Sequence, residues 1–267
     1  MSTQPLTEPS ETPVERPFPA PCHTLPVMAP LRWLRLGWND IVRAPRLSLT
    51  YGFVLTLISW LIGALTWQYG TLALYLGLAT GFVFVGPILA VGLYSISRQI
   101  EAGLEPFMGY CIQQGWRHVR GLMVLGLVLL IVLLVWARAA AMVHIFFPVE
   151  ANPGWQELLP FLGIGSAIGA VFAAIVFTAS AFSLPMIMDR QVDSITAVVS
   201  SFNAVLSNKG AMLVWICIIG LTVLLGFATG FLAFIVLLPL IGHATWHAYR
   251  ETIDASAWDK NLPGEVQ

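Results

Sequence analysis

The stretch FVFVGPILAVGLYSISRQIEAG, residues 82–103, decides the fold. It begins as an apolar run typical of a membrane helix and ends with polar and charged side chains, Arg98 among them. Gly86-Pro87 interrupts the run, and a proline inside a helix removes a backbone hydrogen bond and bends the axis. Two later apolar runs follow the same order, each with one proline before a charged exit, at Pro185 and Pro239. The pattern predicts helices that leave a membrane on an aqueous side.

The composition is that of a membrane protein. Of 267 residues, 57% are apolar and only 10% are charged, whereas soluble domains carry about 25% charged residues. Several apolar runs reach the roughly 20 residues that a helix needs to cross the hydrocarbon core. The net charge of −1 gives no basic field for nucleic acid, so the lipid bilayer is the predicted partner.

We predict an all-α polytopic membrane protein. Its membrane domain comprises residues 30–250 and contains six transmembrane helices. These lie at about residues 47–67, 72–95, 122–143, 158–188, 211–227 and 231–249. The last two are separated at Gly226–Gly230, because a single helix of about 40 residues would be about 60 Å long, twice the thickness of the hydrocarbon core.

Both ends of the chain are predicted to be tails. Residues 1–29 contain seven prolines, and such a segment cannot bury enough apolar surface to offset its ordering entropy. We therefore predict that this tail is disordered. It lacks a positively charged start followed by an apolar stretch, so it does not have the pattern of a signal peptide. Residues 251–267 are predicted to form a short polar C-terminal tail.

Three short amphipathic helices are predicted at about residues 30–43, 105–120 and 194–208. The apolar pattern of the first helix matches that of the second when Trp38 is placed on Ile112, and that of the third when Trp38 is placed on Phe202. We call these two matches the helix alignments. The recurrence predicts three repeats, each an interfacial helix followed by a helical hairpin. The alternative is a chance recurrence of the apolar spacing.

The basic residues predict the orientation. Every Lys and Arg except Arg138 lies in the N-terminal segment, in the second-to-third or fourth-to-fifth loop, or near the C-terminus. Because Lys and Arg favour the cytoplasmic side of a membrane, both termini are predicted to be cytoplasmic. The three amphipathic helices would then lie against the cytoplasmic leaflet.

The charged exits are the first candidate site. The predicted spans contain no Asp, Glu or Lys near their midpoints, which argues against a proton or ion relay. The residues that follow the three proline-bearing helices form either a cytoplasmic vestibule for a substrate or partner, or ordinary interfacial ion pairs. They are Arg98, Glu101 and Glu105, then Asp189, Arg190 and Asp193, and finally Arg250, Glu251 and Asp254. The candidate hinges, or static kinks, are Gly86, Pro87, Pro185 and Pro239.

Two histidines are the second candidate site. His243 and His247 are four residues apart on one helix, and neutral imidazoles at this spacing can bind Zn²⁺ or Cu²⁺ jointly. A haem would require a ligand from a facing helix, for which His118 or His144 would have to pair with one of them. The alternative is that they bond to carbonyl groups at the helix end. We predict no metal and no cofactor, and name these two histidines as the candidates if a metal is bound.

Two runs of residues resemble a known family. The first is Trp33, Gly37-Trp38-Asn39-Asp40, Pro45, Ser48-Leu49 and Tyr51-Gly52, and the second is Gly86-Pro87, Ala90, Gly92-Leu93-Tyr94, Ser97-Arg98, Glu101, Gly103 and Pro106. The chain is similar to predicted bacterial integral membrane proteins labelled domain of unknown function 2189, over most of residues 30–250. The resemblance implies a location in the bacterial inner membrane. It supplies no activity and no functional residue.

The function predicted from these features is non-enzymatic. The sequence contains no P-loop, no GxSxG elbow and no GxGxxG after a strand, the motifs that carry common catalytic chemistries. We predict a membrane-organising, assembly or partner-binding factor, whose partners are lipid and either other membrane proteins or a second copy of the chain. A small-solute transporter or channel is the alternative, and a haem- or metal-binding redox protein a further one. A continuous polar cavity would favour transport. A closed bundle packed through small residues would favour the membrane-organising function, and the candidates are Gly63, Gly77, Gly81, Gly163, Gly165 and Gly169.

Overall fold

The computed structural model describes residues 17–70, 91–146 and 154–261, and most of them are helical. The helices are α1 (Ala29–Arg43), α2 (Pro45–Tyr69), α3 (described over residues 91–101), α4 (Met108–Arg117), α5 (Val119–Phe146), α6 (Trp155–Ser180), α7 (Ser183–Asp189), α8 (Ser194–Ser207), α9 (Lys209–Ala228) and α10 (Phe234–Thr252). The predicted all-α class is confirmed. Gly86-Pro87 and most of the predicted second span lie outside the described residues.

Four candidate membrane spans, rather than the predicted six, are found in the part of the chain that the structure describes. They are Pro45–Tyr69, Val119–Val143, Leu159–Asp189 and Lys209–Ala228. The predicted sixth span corresponds to α10, a helix of 19 residues. The second half of α10 carries His243, His247 and Arg250, and most of its residues, His243 among them, are buried in the protein. This polar half explains why α10 is less apolar than a typical span.

The predicted fourth span, residues 158–188, is divided into α6 and α7. The helix ends at Ser180, and Phe182 is the N-cap residue of α7. The interruption therefore precedes Pro185, which occupies the first turn of α7. A proline is tolerated there because the missing N–H has no partner within the helix. Ser201 of α8 bridges the interruption: its hydroxyl donates to the Thr178 carbonyl at 2.7 Å and accepts from the Phe182 N–H at 3.1 Å.

Each short amphipathic helix is followed by a longer helix after one non-helical residue. These residues are Ala44 between α1 and α2, His118 between α4 and α5, and Asn208 between α8 and α9. The two helix alignments, extended along the chain, place Ala44 on His118 and on Asn208. The alignments that superpose the apolar patterns of the three helices therefore also superpose their ends.

Helix α1 packs closely on α10. A Cβ atom added at Gly37 would lie 2.8 Å from the Ala244 nitrogen and 3.0 Å from the Leu240 oxygen. A glycine at this position therefore allows the two backbones to come into contact. Beside it, the buried rings of Trp33 and Trp215 meet edge to face with centroids 5.5 Å apart. This packing joins α1, the first described helix, to α9 and α10.

Residues 17–28, which the proline content predicted to be disordered, instead run against α8 and the C-terminal segment. The Ala20 N–H donates to the Ser200 hydroxyl at 3.0 Å. Asn208 holds the segment from both sides, since its Oδ1 accepts from the Leu25 N–H at 2.8 Å and its Nδ2 donates to the His23 carbonyl at 3.0 Å. The side chains of Ser200 and Asn208 thus satisfy backbone groups that a proline-rich segment cannot pair within itself.

The C-terminal segment is also packed, although it was predicted to be a polar tail. The Asp254 N–H donates to the Pro21 carbonyl at 2.9 Å, and the side chains of Ile253 and Trp258 are buried. The Asn261 N–H donates to the Asp189 carbonyl at 2.9 Å, at the end of α7. The segment therefore connects the end of α10 to the end of α7.

Candidate functional site at the helix exits

The ends of α3, α7 and α10 meet at one charged cluster, which we call the exit cluster: Arg98, Glu101, Asp189, Arg190, Trp246, Tyr249 and Arg250. Glu101, at the end of α3, accepts a hydrogen bond from the Trp246 indole at 2.9 Å. It also accepts from the Arg250 Nε at 3.0 Å and Nη2 at 2.9 Å. Burial alone would lower the pKa of Arg250, but the carboxylates of Glu101 and Asp189 outweigh it and raise that pKa.

Asp189 is the buried carboxylate of the exit cluster, with only 5% of its surface exposed. It accepts from the Tyr249 hydroxyl at 2.9 Å and from the Arg190 Nε at 3.0 Å. The Arg250 Nη1 lies 3.6 Å from the same carboxylate oxygen. Since a buried carboxylate without donors is costly, these three partners compensate for the burial of Asp189.

A cavity of about 170 Å³, which we call the exit cavity, lies within the exit cluster. Its lining residues are Arg98, Glu101, Ala102, Asp189, Trp246, Arg250 and Lys260. Glu101, Ala102 and Lys260 are exposed, so the cavity opens to solvent. Arg98 is buried, with 6% of its surface exposed, and donates to the Met188 carbonyl at 3.3 Å.

The structure thus brings together five of the nine predicted exit residues, Arg98, Glu101, Asp189, Arg190 and Arg250. The other four lie elsewhere. Glu251 pairs with Arg32 and accepts from the Trp33 indole at 2.8 Å, which attaches α1 to α10. Asp193 is the N-cap of α8, Asp254 accepts from the Ser256 N–H at 3.1 Å, and Glu105 is exposed between α3 and α4.

His243 and His247 have different hydrogen-bond partners within the protein. His243 is fully buried, with its Nε2 2.9 Å from the Ser48 hydroxyl and its Nδ1 2.7 Å from the Ser97 hydroxyl. The two serines belong to α2 and α3, so one imidazole joins three helices. His247 places its Nε2 2.8 Å from the Asp40 carboxylate on α1. Both nitrogens of His243 are occupied, which leaves none for a metal in this arrangement.

His118, considered as a partner for a haem, is also bonded within the protein. Its Nδ1 lies 2.9 Å from the Gln114 carbonyl, and its Nε2 lies 3.1 Å from the Asn261 amide. Burial lowers the pKa of His118, so the neutral imidazole is favoured. The described residues contain no group of three or more His, Cys, Asp or Glu side chains that could hold a metal ion. The side chain of His144 lies outside the described part.

The predicted hinge residues occupy different environments. Gly86 and Pro87 lie outside the described residues, and Pro185 is buried in the first turn of α7. Pro239 lies inside α10, where its ring approaches Gly52 of α2. Close helix contacts form at Gly37, Gly52 and Gly242, and a Cβ added at Gly63 would lie 3.4 Å from the Phe231 ring. A Cβ added at Gly163, Gly165 or Gly169 would meet no described atom of another element within 4 Å.

Asp40, Ser48 and Tyr249 were not identified from the sequence as part of these networks. Asp40 is only 3% exposed, yet it lies in an amphipathic helix where a carboxylate is normally assigned to the aqueous face. A signal for Asp40 does exist: Trp33, Gly37, Asp40 and Ala44 share one helical stripe, and all are buried. Ser48 and Tyr249 have no comparable local signal, because their partners come from other helices.

Long apolar helices, short amphipathic helices and charged exits together define an α-helical integral membrane protein. A family model described as predicted integral membrane protein (DUF2189) matches residues 74–189. The resemblance seen in the sequence is therefore confirmed over this part of the chain, which contains Arg98, Glu101 and Asp189. The first quoted run, Trp33 to Gly52, lies outside the match. No curated protein and no solved structure matches the chain.

Proposed function

We propose that this is a non-enzymatic membrane-organising protein of the bacterial inner membrane, with both termini in the cytoplasm. In this role, α1, α4 and α8 lie in the cytoplasmic leaflet and gather anionic lipids around the exit cluster. The observation that carries the proposal is the outer surface of these three helices. Each exposes large apolar side chains. Exposed basic residues lie on α1 and α4, and Lys209 follows α8 in the first turn of α9, a composition typical of helices that lie in a membrane interface.

The apolar side chains are exposed at matching positions. Trp38 of α1 is 52% exposed, and Ile112, its counterpart in α4, is 54% exposed. Val42 of α1, Trp116 of α4 and Leu206 of α8 are likewise exposed, and the two helix alignments place them at one position. In water such a surface would be unfavourable, whereas at a membrane interface it is stabilised by contact with acyl chains.

The buried faces of the three helices also match. Gly37, Cys111 and Ser201 are buried, and the same two helix alignments place them at one position. Gly37 contacts α10, and Cys111 lies 3.5 Å from the Gln99 amide of α3. Ser201 bonds at the junction of α6 and α7.

Each short helix therefore docks on the last helix of another unit, in cyclic order. The three units are α1–α3, α4–α7 and α8–α10. Helix α4 docks on α3, α8 docks on α6 and α7, and α1 docks on α10. This arrangement supports three repeats that close into a ring around the exit cluster. The ring would hold three interfacial helices at one depth in the leaflet.

Basic side chains on this surface would select the lipids. The exposed Arg and Lys residues on α1, α4, and the first turns of α2, α5 and α9 are Arg32, Arg35, Arg43, Arg46, Arg117, Arg120 and Lys209. Each basic residue near a membrane surface contributes about 1 kcal/mol of attraction to anionic lipids. Arg138, in α5, is the basic residue predicted to lie on the other side, and it provides a matched control.

The proposal is tested by the lipids that stay with the protein. Wild type would be extracted in polymer nanodiscs, and its lipids compared by mass spectrometry with those of the surrounding membrane. We expect enrichment of anionic lipids, lost when Arg43, Arg46, Arg117 and Arg120 are all replaced by Gln and kept in Arg138→Gln. Equal lipid composition in wild type and bulk membrane, or unchanged enrichment in the fourfold variant, would contradict the proposal.

The exit cavity favours transport as a second candidate function. Charged groups line it at the end of three converging helices, as expected for the mouth of a solute pathway. Proteoliposomes loaded with small anions, cations or neutral solutes would distinguish the two functions. Protein-dependent release that is lost in Glu101→Gln supports transport, whereas release no faster than from empty liposomes contradicts it.

A further inference from the structure

We propose that the exit cavity binds a phosphate group, with Arg98 as the main ligand and Lys260 as the second. The inference is independent of the lipid-gathering role, because it concerns a single group held inside the protein rather than lipids around it. Its basis is the pairing of charges in the exit cluster. Three cations and two carboxylates line the cavity, namely Arg98, Arg250 and Lys260 against Glu101 and Asp189.

Both carboxylates are already satisfied by the protein. Glu101 receives hydrogen bonds from the Trp246 indole and from Arg250. Asp189 receives them from the Tyr249 hydroxyl and from Arg190, and Arg250 also approaches it. Arg250 and Arg190 are therefore used in pairing these two acids. The excess positive charge of the cavity resides on the remaining cations.

Arg98 is the cation whose position needs explanation. A guanidinium group has five N–H donors, and the hydrogen bond that Arg98 makes to a described residue is the one to the Met188 carbonyl at 3.3 Å. No described carboxylate lies within ion-pairing distance of it, although only 6% of its surface is exposed. Burying a charge without a counter-ion is costly. An oxyanion in the cavity would supply the missing acceptors.

The properties of the cavity agree with a phosphate group as that oxyanion. Arginine binds phosphate through two parallel hydrogen bonds, and lysine adds a point charge. The volume of about 170 Å³ exceeds the roughly 30 Å³ that one water molecule occupies in the liquid, so there is room for a larger group. The cavity lies at the ends of three helices and has exposed residues in its lining, so both a soluble phosphate and a lipid phosphate could reach it.

The binding experiment uses the full-length protein in a phosphate-free maltoside buffer. Isothermal titration calorimetry would measure three probes: inorganic phosphate, dihexanoyl phosphatidic acid and dihexanoylglycerol, which has the same acyl chains and no phosphate. We expect binding of a phosphate-bearing probe and none of dihexanoylglycerol. Phosphatidic acid binding at least tenfold tighter than inorganic phosphate assigns the site to a lipid. Equal or tighter binding of inorganic phosphate assigns it to a soluble ligand.

Four variants decide whether the cavity is responsible. Arg98→Gln should abolish binding, exposed Lys260→Gln should weaken it about tenfold, the effect of one charged hydrogen bond, and Arg138→Gln should leave it unchanged. Arg98→Lys keeps the charge and should retain part of the affinity. No binding of either phosphate probe to wild type, or unchanged binding in Arg98→Gln, overturns the proposal. If Arg98→Gln does not fold, unchanged affinity in Lys260→Gln overturns it instead.

Discussion

Glu101 and Arg250 are 149 positions apart in the chain, and their side chains pair at 2.9 Å between the Glu101 Oε1 and the Arg250 Nη2. The pair joins the end of α3 to the end of α10. Arg250 also approaches Asp189 at the end of α7. One arginine therefore connects the ends of α3, α7 and α10. This gives the exit cluster a structural role whatever ligand it binds.

Replacing Glu101 by Gln should loosen the exit cluster. The variant removes the charge that pairs with Arg250, and it weakens the acceptor of the Trp246 indole. Because both charged groups are partly exposed, we expect a loss of only about 1 kcal/mol in stability. Thermal unfolding in detergent would measure it. The control is Glu105→Gln, the same change at an exposed position four residues away, and an equal loss in both variants would contradict the assigned pairing.

Asp40→Asn should destabilise the contact between α1 and α10. The Asp40 carboxylate is buried and lies 2.8 Å from the His247 Nε2. An amide keeps the shape but not the charge, so the loss should be about 1–3 kcal/mol, the cost of weakening a buried polar contact. Denaturant unfolding followed by tryptophan fluorescence would report it. Asn39→Ala, at the exposed neighbouring position, should change stability by less than about 0.5 kcal/mol.

Gly37→Ala should push α1 away from α10. The new Cβ would lie 2.8 Å from the Ala244 nitrogen, and backbone atoms cannot move aside as a flexible side chain can. We expect a loss of about 1–3 kcal/mol, the usual cost of overpacking. The matched control is Gly220→Ala in α9, where no described atom lies within 4 Å. There, alanine should be neutral or stabilising, since it favours helix over glycine. Thermal unfolding of both variants provides the comparison, and a stable Gly37→Ala would disprove the close approach.

His118 should make stability depend on pH. Its pKa is lowered from 6.5, first by burial and also by the charges of Arg98 and Arg117. Below about pH 6.5 the unfolded chain therefore binds more protons at this site than the folded protein. Stability should be full above that pH and should fall as the pH decreases towards the lowered pKa. Unfolding temperatures at pH 5 to 8 should show a shallower acid decrease in His118→Gln than in wild type, and identical slopes would refute the effect.

Local features of this protein could be predicted from its sequence. Composition and apolar run length indicate spanning helices, because the cost of an unpaired backbone in lipid leaves a long apolar segment little alternative to a helix. The positions of α1, α4 and α8 follow from their apolar spacing. The two helix alignments also match the single-residue interruptions at Ala44, His118 and Asn208. These features depend on neighbours within one or two helical turns.

The partners of the polar side chains depend on contacts between distant parts of the chain. Glu101 pairs with Arg250, and His243 lies between Ser48 and Ser97, across separations of 146 to 195 residues. Periodicity shows which residues share a face of one helix, but not which other helix that face meets. The defined path of residues 17–28 has the same origin, since their backbone groups bond to Ser200, to Asn208 and to the C-terminal segment. Apolar spacing therefore predicts the helices and a membrane environment, whereas helix packing determines which charges are paired and leaves Arg98 beside an open cavity.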